Sequence, residues 1–483
     1  MKLTSPIAPS FFIFFFFLSI FLLSSGGHLY TQDGLIIYKV AQNLFENGRW
    51  NITGLPPQGL SLGPDGQLYS PYGLGTSLAY IPLIALGHAL SHVPNLAGVK
   101  TALAMSLNCF VTAFSCIFFY LCARALRFKE KTSISLTLFY GLGSFVWPYA
   151  KFGFPDPLSG LFTLGAVFFA VSYPSKQSRI QLFWCGFFMG CMCLTRLTTA
   201  LFVPAIILYL LLKELSHSSS KSPRSIFLNT LIILLGAILP LGLIAYYNTE
   251  RFGSWLLTGY HAYIIGPDQL QRWGFTTPLF VGLYGLLFSA GKSIFLYVPL
   301  ALLVYPALKK FWGTNKHECL LFIIMILQMF LFFSCWVNWE GGTSWGPRYL
   351  YPIIFCLILP IGKLMESSRK WRRLCWGLFM LGFFINSLGV LISFTEYVGY
   401  VLKEWDRYGL LLFHPGFSPI YGHLELCFQK LFEVNSHFDL GLLKSFRQGN
   451  PWAGKAILFL IFMILICAFF LRRRAKQEKR SKG

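Results

Sequence analysis

Long apolar runs recur along this chain and constrain its fold more than any other feature. Of its 483 residues, 55% are hydrophobic and only 12% are charged, with 50 Phe and 13 Trp. Soluble domains usually carry about 25% charged residues. Apolar runs of about 20 residues are typical of helices that cross a bilayer, because a helix satisfies its own backbone hydrogen bonds in lipid. The sequence therefore predicts an all-α polytopic membrane protein.

The positions of the basic residues predict the topology. The net charge is +22, and most of the 40 Lys and Arg residues lie in short segments between apolar runs, as the positive-inside rule expects for cytoplasmic loops. No soluble basic domain is available to bind nucleic acid. About twelve spans with both termini inside satisfy the rule, provided that 74–90 is re-entrant or interfacial. If 74–90 crossed, the downstream basic loops would all face outward. The predicted spans are Phe11–Leu23, 101–122, 133–150, 158–173, 180–195, 199–213, 226–247, 294–308, 319–337, 349–365, 374–394 and 454–471.

The first apolar run and the cysteines each have a plain interpretation. Phe11–Leu23 is short and ends in small residues, as in a signal peptide, but no clear A-x-A site follows, which favours an uncleaved anchor helix. All of the 12 cysteines except Cys427 lie in or beside apolar runs. They offer neither a disulfide framework nor a paired metal-binding motif, and small apolar filler is the favoured role.

This topology places most acidic residues and the longest loops, 26–98, 248–290 and 395–453, on the extracytoplasmic side. Asp33, in Tyr30–Gly34, is the first acidic residue of the chain. The stretch after it has the apolar spacing of an amphipathic helix that lies at the membrane surface. We therefore expect chemistry or recognition at the outer face, with Asp33 as the candidate catalytic carboxylate.

Asp156 and Arg196 are both predicted near the outer surface. Asp156 lies between two prolines at the start of a span, where it is either a helix N-cap or a second catalytic carboxylate, with Lys151 nearby. Arg196 follows Leu194-Thr195 between two apolar runs, where a charge is costly unless it is paired or wetted. A structural ion pair and a substrate contact both remain open for Arg196.

Two later outer segments carry further candidate residues. The glycine-rich stretch ending in Lys292 lacks the spacing of a nucleotide-binding loop, but Lys292 could meet a phosphate as a point charge. The segment Trp336–Tyr349 contains three Trp, one Glu and one Arg. It fits either an aromatic belt with an Arg–Glu pair or a pocket in which aromatic faces stack on a sugar and Arg348 holds a phosphate. The candidate sugar or acceptor contacts are Tyr69, Tyr72, Tyr260, His261, Trp339, Glu340 and Trp345.

Together these residues resemble the GT-C superfamily of glycosyltransferases, which use sugars linked to polyprenyl phosphate. The arrangement is most similar to the protein O-mannosyltransferase and lipid A aminoarabinose transferase branches. Asp33 matches the acidic position of the first outer loop, where relatives commonly carry an acidic pair, but here Gly34 follows. Leu68–Gly73 resembles an aromatic-plus-proline motif in which Ser70 replaces the usual Lys.

Two further positions carry the resemblance. Asp156 matches an aspartate at the outer start of the fourth span, and Arg196 matches a basic position after Leu-Thr. It covers 1–365 and implies a GT-C-like catalytic region of transmembrane helices with interfacial helices in the first outer loop. The remainder, 366–483, is then a C-terminal group of helices with the outer loop 395–453 and a basic cytoplasmic tail.

The mechanism that the resemblance implies is inverting sugar transfer from a lipid-phosphate donor to an extracytoplasmic acceptor. Asp33 would take the proton of the acceptor hydroxyl. Arg196, Lys292 or Arg348 would stabilise the departing lipid phosphate. No cofactor is certain, and a divalent metal ion near Asp33 is compatible with the family although the single carboxylate disfavours it. We expect a multi-pass protein of a bacterial inner membrane with its site on the extracytoplasmic face.

The main alternative is a membrane transporter or lipid flippase. Helices broken by Gly and Pro, such as 74–90, also suit the discontinuous helices of transporters. Transporters usually place polar groups near the midplane and show related halves. Here the acidic residues lie in outer loops and no internal repeat is evident, which favours an enzyme.

Overall fold

The computed structural model describes residues 7–91, 99–176, 178–217, 223–264, 274–405, 408–433 and 437–480. Its helices are α1 Ile7–Leu23, α2 Gln32–Asn47, α3 Leu74–Ser91, α4 Val99–Met105, α5 Leu107–Ala125, α6 Glu130–Leu142, α7 Val146–Tyr149, α8 Asp156–Lys176, α9 Arg179–Thr195, α10 Phe202–His217, α11 Pro223–Phe252, α12 Leu279–Phe288, α13 Ile294–Tyr297, α14 Val304–Trp312, α15 Lys316–Ser334, α16 Ile354–Ile358, α17 Ile361–Ser367, α18 Arg369–Leu391, α19 Phe394–Trp405, α20 Tyr408–Phe413, α21 Pro419–Phe432, α22 Gly441–Arg447 and α23 Pro451–Arg480. Short 3-10 helices span Leu197–Leu201, Pro299–Leu303, Arg348–Ile353 and Pro415–Phe417. The strands β1 (Ser61–Leu62) and β2 (Leu68–Tyr69) form one antiparallel hairpin.

Nine helical segments of the described chain are long and apolar enough to cross a membrane. They are Leu74–Ser91, Thr101–Ala125, Asp156–Pro174, Leu197–Ser216, Arg224–Phe252, Lys316–Ser334, Arg348–Ser367, Arg369–Leu391 and Pro451–Lys476. The predicted all-α, multi-pass membrane architecture is confirmed. Leu74–Ser91 belongs to this set by length and hydropathy, and the interpretation that it does not cross stays a prediction.

Several predicted spans are interrupted in the structure, including 133–150 and 294–308. The segment 133–150 divides into α6 and α7, and 294–308 divides into α13, a 3-10 helix and α14. In the second case Pro299 has no N–H to continue an α-helix. The Asn386 side-chain amide donates a 3.0 Å hydrogen bond to the Tyr297 carbonyl at this break. Proline and a side-chain partner thus convert a uniform apolar run into shorter helices.

The chain folds into two compact units. The first contains 1–27, 109–151 and 277–483, and the second contains 28–108 and 152–276. In the first unit α1 packs along α23, with the Phe12 and Phe470 rings stacked at 4.7 Å. In the second unit α9 packs against both α8 and α11.

The predicted amphipathic helix is α2, in the second unit. Its inward face contains Ile36, Ile37 and Val40, which are at most 1% exposed, and this spacing follows the helical repeat. Ile36 and Val40 join Ile52 and Leu60 in a small apolar cluster. Burial of this face fixes α2 on the loop and hairpin that follow it.

Lys151 anchors a late segment of the first unit. Its ammonium group donates to the Val390 carbonyl at 2.7 Å and to the Asp439 carboxylate at 2.7 Å. The neighbouring Gly441 N–H donates to the Ser25 carbonyl at 2.8 Å. The Lys151 ammonium is therefore engaged by its own chain, which favours a structural role over the place beside a catalytic carboxylate expected from sequence.

We expect Lys151→Met to destabilise the protein by about 3 kcal/mol, because it removes one partner of a buried ion pair. The Lys151 side chain is only 1% exposed and that of Asp439 is 14% exposed. The measurement is the melting temperature of the purified protein in detergent. Lys430→Met is the matched control, because its partner Glu396 is 42% exposed and such surface pairs contribute less than about 1 kcal/mol. Equal losses of melting temperature for the two variants would contradict the anchoring role.

Candidate functional site

Asp33 lies in the first turn of α2. The Thr31 side chain caps this helix by accepting a 3.0 Å hydrogen bond from the Gly34 N–H. A carboxylate in the first turn interacts favourably with the helix dipole. The Asp33 side chain is half-buried, so it remains partly open to solvent or ligand. The helix start thus presents one carboxylate at a defined position.

The residue after Asp33 is glycine because two backbone segments meet there. A Cβ at Gly34 would lie 3.0 Å from the Gly153 oxygen and 3.1 Å from the Gly153 Cα. Such distances are tighter than ordinary contacts, so a Cβ at position 34 would require its neighbours to give by a few tenths of an ångström. The approach holds the start of α2 against the loop that precedes Asp156.

Tyr72 lies close to Asp33. The Asp33 charge acts on the Tyr72 hydroxyl, and Tyr260 and Tyr263 lie near enough to influence it as well. Burial, together with the Asp33 charge, raises the pKa of Tyr72 well above its usual value. Tyr72 therefore remains a neutral donor at physiological pH. The structure brings together Asp33 and Tyr72, which were selected separately from the sequence.

Two other aromatic candidates of this unit are placed differently. The Tyr69 hydroxyl donates to the Asp65 carboxylate at 2.8 Å, and burial with this bond raises the pKa of Tyr69 to about 12. Its ring is 7% exposed, which favours a structural role in the hairpin over a sugar contact. Tyr260 is 43% exposed and keeps an accessible ring. The exposed His261 accepts a 3.2 Å hydrogen bond at Nδ1 from the Thr258 N–H.

Asp156 and Arg196 form a buried ion pair. The Arg196 guanidinium donates to Asp156 Oδ1, the Asp156 side chain is fully buried, and that of Arg196 is 14% exposed. Arg196 Nε also donates to the Thr198 hydroxyl at 3.2 Å. For Arg196 this contact favours the structural ion pair over a substrate contact. For Asp156 it favours the role of counter-charge to Arg196, which the sequence did not offer, over a helix N-cap or a second catalytic carboxylate.

Arg251 was not selected from the sequence, yet it organises the segment that carries Tyr72. Its guanidinium donates to the Ser70 carbonyl and to Asn248 Oδ1, and it lies 3.5 Å from the centre of the Tyr247 ring. The side chain is buried in these contacts. The available sequence signal was the i,i+4 spacing of Tyr247 and Arg251 at the end of a long helix.

A second close approach completes this arrangement. A Cβ at Gly73 would lie 2.7 Å from the Thr195 oxygen, so the segment after Tyr72 can rest on the end of α9 only with glycine there. Arg196 follows directly on that helix. The Asp33–Tyr72 pair and the Asp156–Arg196 pair are thereby linked through neighbouring backbone within one unit.

In the first unit Lys292 organises the segment Trp339–Arg348. Its ammonium donates to the carbonyls of Gly342 at 2.8 Å and Ser344 at 2.7 Å. It also reaches the Ser344 hydroxyl at 3.2 Å and the Gly346 carbonyl at 3.3 Å. These contacts use the donors of Lys292 within the protein, which favours a loop-positioning role over the phosphate contact expected from sequence.

The other candidates of this segment are mostly buried. Trp345 is fully buried, donates to Asn386 Oδ1 at 3.2 Å and meets the Tyr297 ring edge-on at 5.2 Å. Trp339 is 6% exposed and packs against Phe413. Both rings are placed as packing residues, so a sugar contact through them is disfavoured.

Glu340 and Arg348 differ in accessibility. Burial raises the pKa of Glu340, and the charges of Lys292 and Arg348 oppose that shift. Arg348 remains half-buried, with its guanidinium 5.1 Å from the centre of the Tyr349 ring. Tyr408, which was not selected from the sequence, lies near Glu340 and Arg348, and burial raises its pKa. Arg348 is therefore more accessible to a phosphate than Lys292, which is buried.

The described residues do not assemble an obvious divalent-metal site. No group of three His, Cys, Asp or Glu side chains comes together among them. Position 34 carries no carboxylate, and Asp156 is paired with Arg196. Hard divalent cations prefer several oxygen ligands. The residue set at Asp33 therefore does not fit a resident metal, and no step is assigned to one.

Comparison with known proteins gives three findings. Residues 83–244 match the family described as dolichyl-phosphate-mannose-protein mannosyltransferase. No curated protein sequence matches the chain. ArnT from Cupriavidus metallidurans, solved bound to undecaprenyl phosphate, aligns at 15% identity over 99% of this chain and 78% of that chain, with a TM-score of 0.49.

The apo oligosaccharyltransferase of Archaeoglobus fulgidus aligns at 10% identity over 87% of this chain, with a TM-score of 0.51. The alignment covers 56% of that longer protein. The chain has the GT-C fold. The GT-C-like helical bundle expected from the sequence is thus confirmed at the level of the fold, while the placement of α2 at the membrane surface in an outer loop stays a prediction.

A double-mutant cycle separates the two roles considered for Arg196. We expect Arg196→Met alone to cost about 3–5 kcal/mol of stability, because it leaves a buried carboxylate without its counter-charge. Combining it with Asp156→Asn should recover much of that loss. Melting temperatures of the four proteins of the cycle give the coupling. Additive losses would contradict the ion-pair role and favour a substrate contact.

The stability of the folded protein should also depend on pH through Lys292. Burial lowers the pKa of Lys292 from its ordinary value of 10.5 to about 7. Between these values the unfolded chain binds more protons than the folded chain, so the stability of the protein relative to Lys292→Met should rise with pH. The expected rise is on the order of a few kcal/mol, with a plateau below pH 7. A pH-independent difference in melting temperature from pH 7 to 10 would contradict it.

Proposed function

We propose that this GT-C protein transfers a sugar from a polyprenyl-phosphate carrier to an extracytoplasmic acceptor, with inversion at the anomeric carbon. The observation that carries the proposal is the half-buried Asp33 carboxylate at the start of α2, with Tyr72 beside it. The family matched by 83–244 is described by a dolichyl-phosphate-mannose donor, which supports a lipid-phosphate carrier. We propose that the transferred sugar is a hexose or a pentose.

The proposed step transfers one sugar and one proton. The acceptor hydroxyl oxygen attacks the anomeric carbon, and the bond from that carbon to the donor phosphate oxygen breaks. The lipid phosphate leaves with the bonding electron pair, while the hydroxyl proton passes to the Asp33 carboxylate. Tyr72, a neutral hydroxyl beside that carboxylate, is proposed to orient it through a hydrogen bond. Inversion follows because a single displacement reverses the configuration at the attacked carbon.

Within the first unit, Arg348 is the cation best placed to meet a phosphate. A guanidinium can bind phosphate oxygens in a bidentate manner. Its side chain is half-buried, whereas the ammonium of Lys292 already binds carbonyls of the same loop. Lys292 would then act only by shaping the segment that carries Arg348.

The placement in the cell is also proposed. The charge pattern supports a bacterial inner membrane with the reacting groups on the extracytoplasmic face, and with 1–365 as the catalytic region. The C-terminal region 366–483 would add helices and an outer loop. A transporter or flippase is not favoured, because the fold is that of glycosyltransferases and Asp33 lies at the start of an interfacial helix.

The direct test is Asp33→Asn. We expect sugar transfer from a polyprenyl-phosphate donor to fall by about 100-fold to 10,000-fold, the usual contribution of a general base. Membranes carrying the variant are supplied with radiolabelled donor, and labelled product is measured at equal protein level. Tyr72→Phe should give a smaller loss, because it removes only the hydrogen bond that orients the carboxylate.

Asp65→Asn is the matched control, since Asp65 lies in the turn of the hairpin and accepts hydrogen bonds from Tyr69 and the Gln67 N–H. We expect this variant to keep transfer within a few-fold of the unmodified protein. Full transfer by Asp33→Asn would remove Asp33 from the base role. Uptake of a labelled solute into sealed vesicles, without any covalent product, would instead support the transporter.

A further inference from the structure

A pocket of about 490 Å³ opens beside the first turn of α2. All of its wall belongs to the second unit, and it is formed by the segment before α2, by the first turns of that helix and by the loop before β1. The lining residues are Leu29, Tyr30, Thr31, Gln32, Leu35, Ile36, Leu55, Pro56 and Leu60. The volume lies within the range of about 300–1,000 Å³ that is usual for small-molecule sites.

The wall is mostly apolar and carries no formal charge. Five of its nine residues are Leu or Ile, and Tyr30, Thr31 and Gln32 supply the polar groups at one end. Gln32 is fixed in place by a 3.0 Å hydrogen bond from its side-chain amide to the Gln58 carbonyl. A few oriented polar groups at the edge of an apolar cavity are typical of a site for an amphiphilic molecule.

The polar end of the pocket adjoins the proposed base. Asp33 follows Gln32 directly, and Ile36 lies one helical turn after Asp33 on the same helix. Ile36 and Leu60 line the pocket and also belong to the apolar cluster against which Tyr72 packs. One wall is therefore shared between the pocket and the Asp33–Tyr72 pair.

The lack of charged side chains in the pocket wall helps to decide whether the pocket binds the donor or the acceptor. A phosphate that entered this pocket would meet no Lys or Arg among the lining residues, and the nearby Asp33 carboxylate would repel it. Burying an anion without a counter-charge is strongly unfavourable. A neutral hydroxyl-bearing head would instead be compatible with both Gln32 and Asp33. The pocket therefore fits the acceptor better than the lipid-phosphate donor.

We propose that this pocket binds the hydrocarbon part of an uncharged amphiphilic acceptor and directs its hydroxyl group toward Asp33. The inference rests on the proposed glycosyltransferase function and specifies the acceptor class. The acceptor hydroxyl forms the new bond to the anomeric carbon and gives its proton to Asp33, while the lipid phosphate leaves the donor. A hydrophilic acceptor without a hydrocarbon chain would lack the contacts to Leu35, Leu55 and Leu60.

Photo-crosslinking tests binding without relying on turnover. The probe is decyl glucoside with a diazirine at the end of its alkyl chain, added to the full-length protein in nanodiscs. We expect labelling within 29–60 that excess decyl glucoside prevents and undecaprenyl phosphate does not. Leu55→Trp should lower this labelling by about tenfold or more, because the indole fills the pocket and removes several buried methylene contacts.

Leu62→Trp is the matched control, because Leu62 lies on the adjoining hairpin, is 50% exposed and does not line the pocket. It should label like the unmodified protein. Leu29→Trp fills the opposite wall and repeats the test if Leu55→Trp has a lowered melting temperature. Unchanged labelling in both pocket variants, or competition by undecaprenyl phosphate and not by decyl glucoside, would overturn the proposal.

A second measurement separates this proposal from the proposed function. With polyprenyl-phosphate sugar as donor, release of lipid phosphate to water tests glycosyl transfer itself, and transfer to decyl glucoside compared with free glucose tests the pocket. In Leu55→Trp we expect the ratio of transfer to decyl glucoside over transfer to free glucose to fall by about tenfold, while hydrolysis of the donor persists. No release of lipid phosphate by the unmodified protein would count against the proposed function. Persistent release with an unaltered preference would count against the pocket alone.

Discussion

The backbone contact between Gly34 and Gly153 is the constraint on which the candidate site depends. It brings the start of α2 against the loop that leads into α8, with no space for a Cβ of ordinary contact distance. This approach sets the position of Asp33. A Cβ at position 34 would require its neighbours to give by a few tenths of an ångström, so the close approach favours glycine after the single carboxylate of this helix start.

Buried cations order irregular segments within each of the two units. Arg251 holds the Ser70 carbonyl, Lys292 holds the carbonyls of Gly342 and Ser344, and Lys151 holds Val390 and Asp439. In a water-poor interior, each such cation must be satisfied by oxygen atoms of its own chain. These side chains order irregular segments that regular secondary structure cannot hold.

The sequence predicts the helical membrane fold well because hydrophobic length is a local property of the chain. It also predicts the amphipathic helix α2, for which apolar spacing is sufficient, while the catalytic role of Asp33 stays a prediction. It does not predict that Lys292 is engaged internally, and it leaves the structural pair of Arg196 as one of two alternatives, because the partner of a charge depends on residues distant in the chain. For the same reason the sequence does not predict that Trp345 is a packing residue, since its burial depends on the distant residues Asn386 and Tyr297.

The internal engagement of these cations changes which of them can meet a phosphate. A residue that binds a phosphate has to give up its existing partners, and the four contacts of Lys292 make that exchange unfavourable. Arg348, on the segment that Lys292 orders, is better suited to a phosphate because its side chain is only half-buried. In the second unit, Asp33 lies beside an uncharged pocket, where an acceptor hydroxyl can approach without bringing a second anion to it.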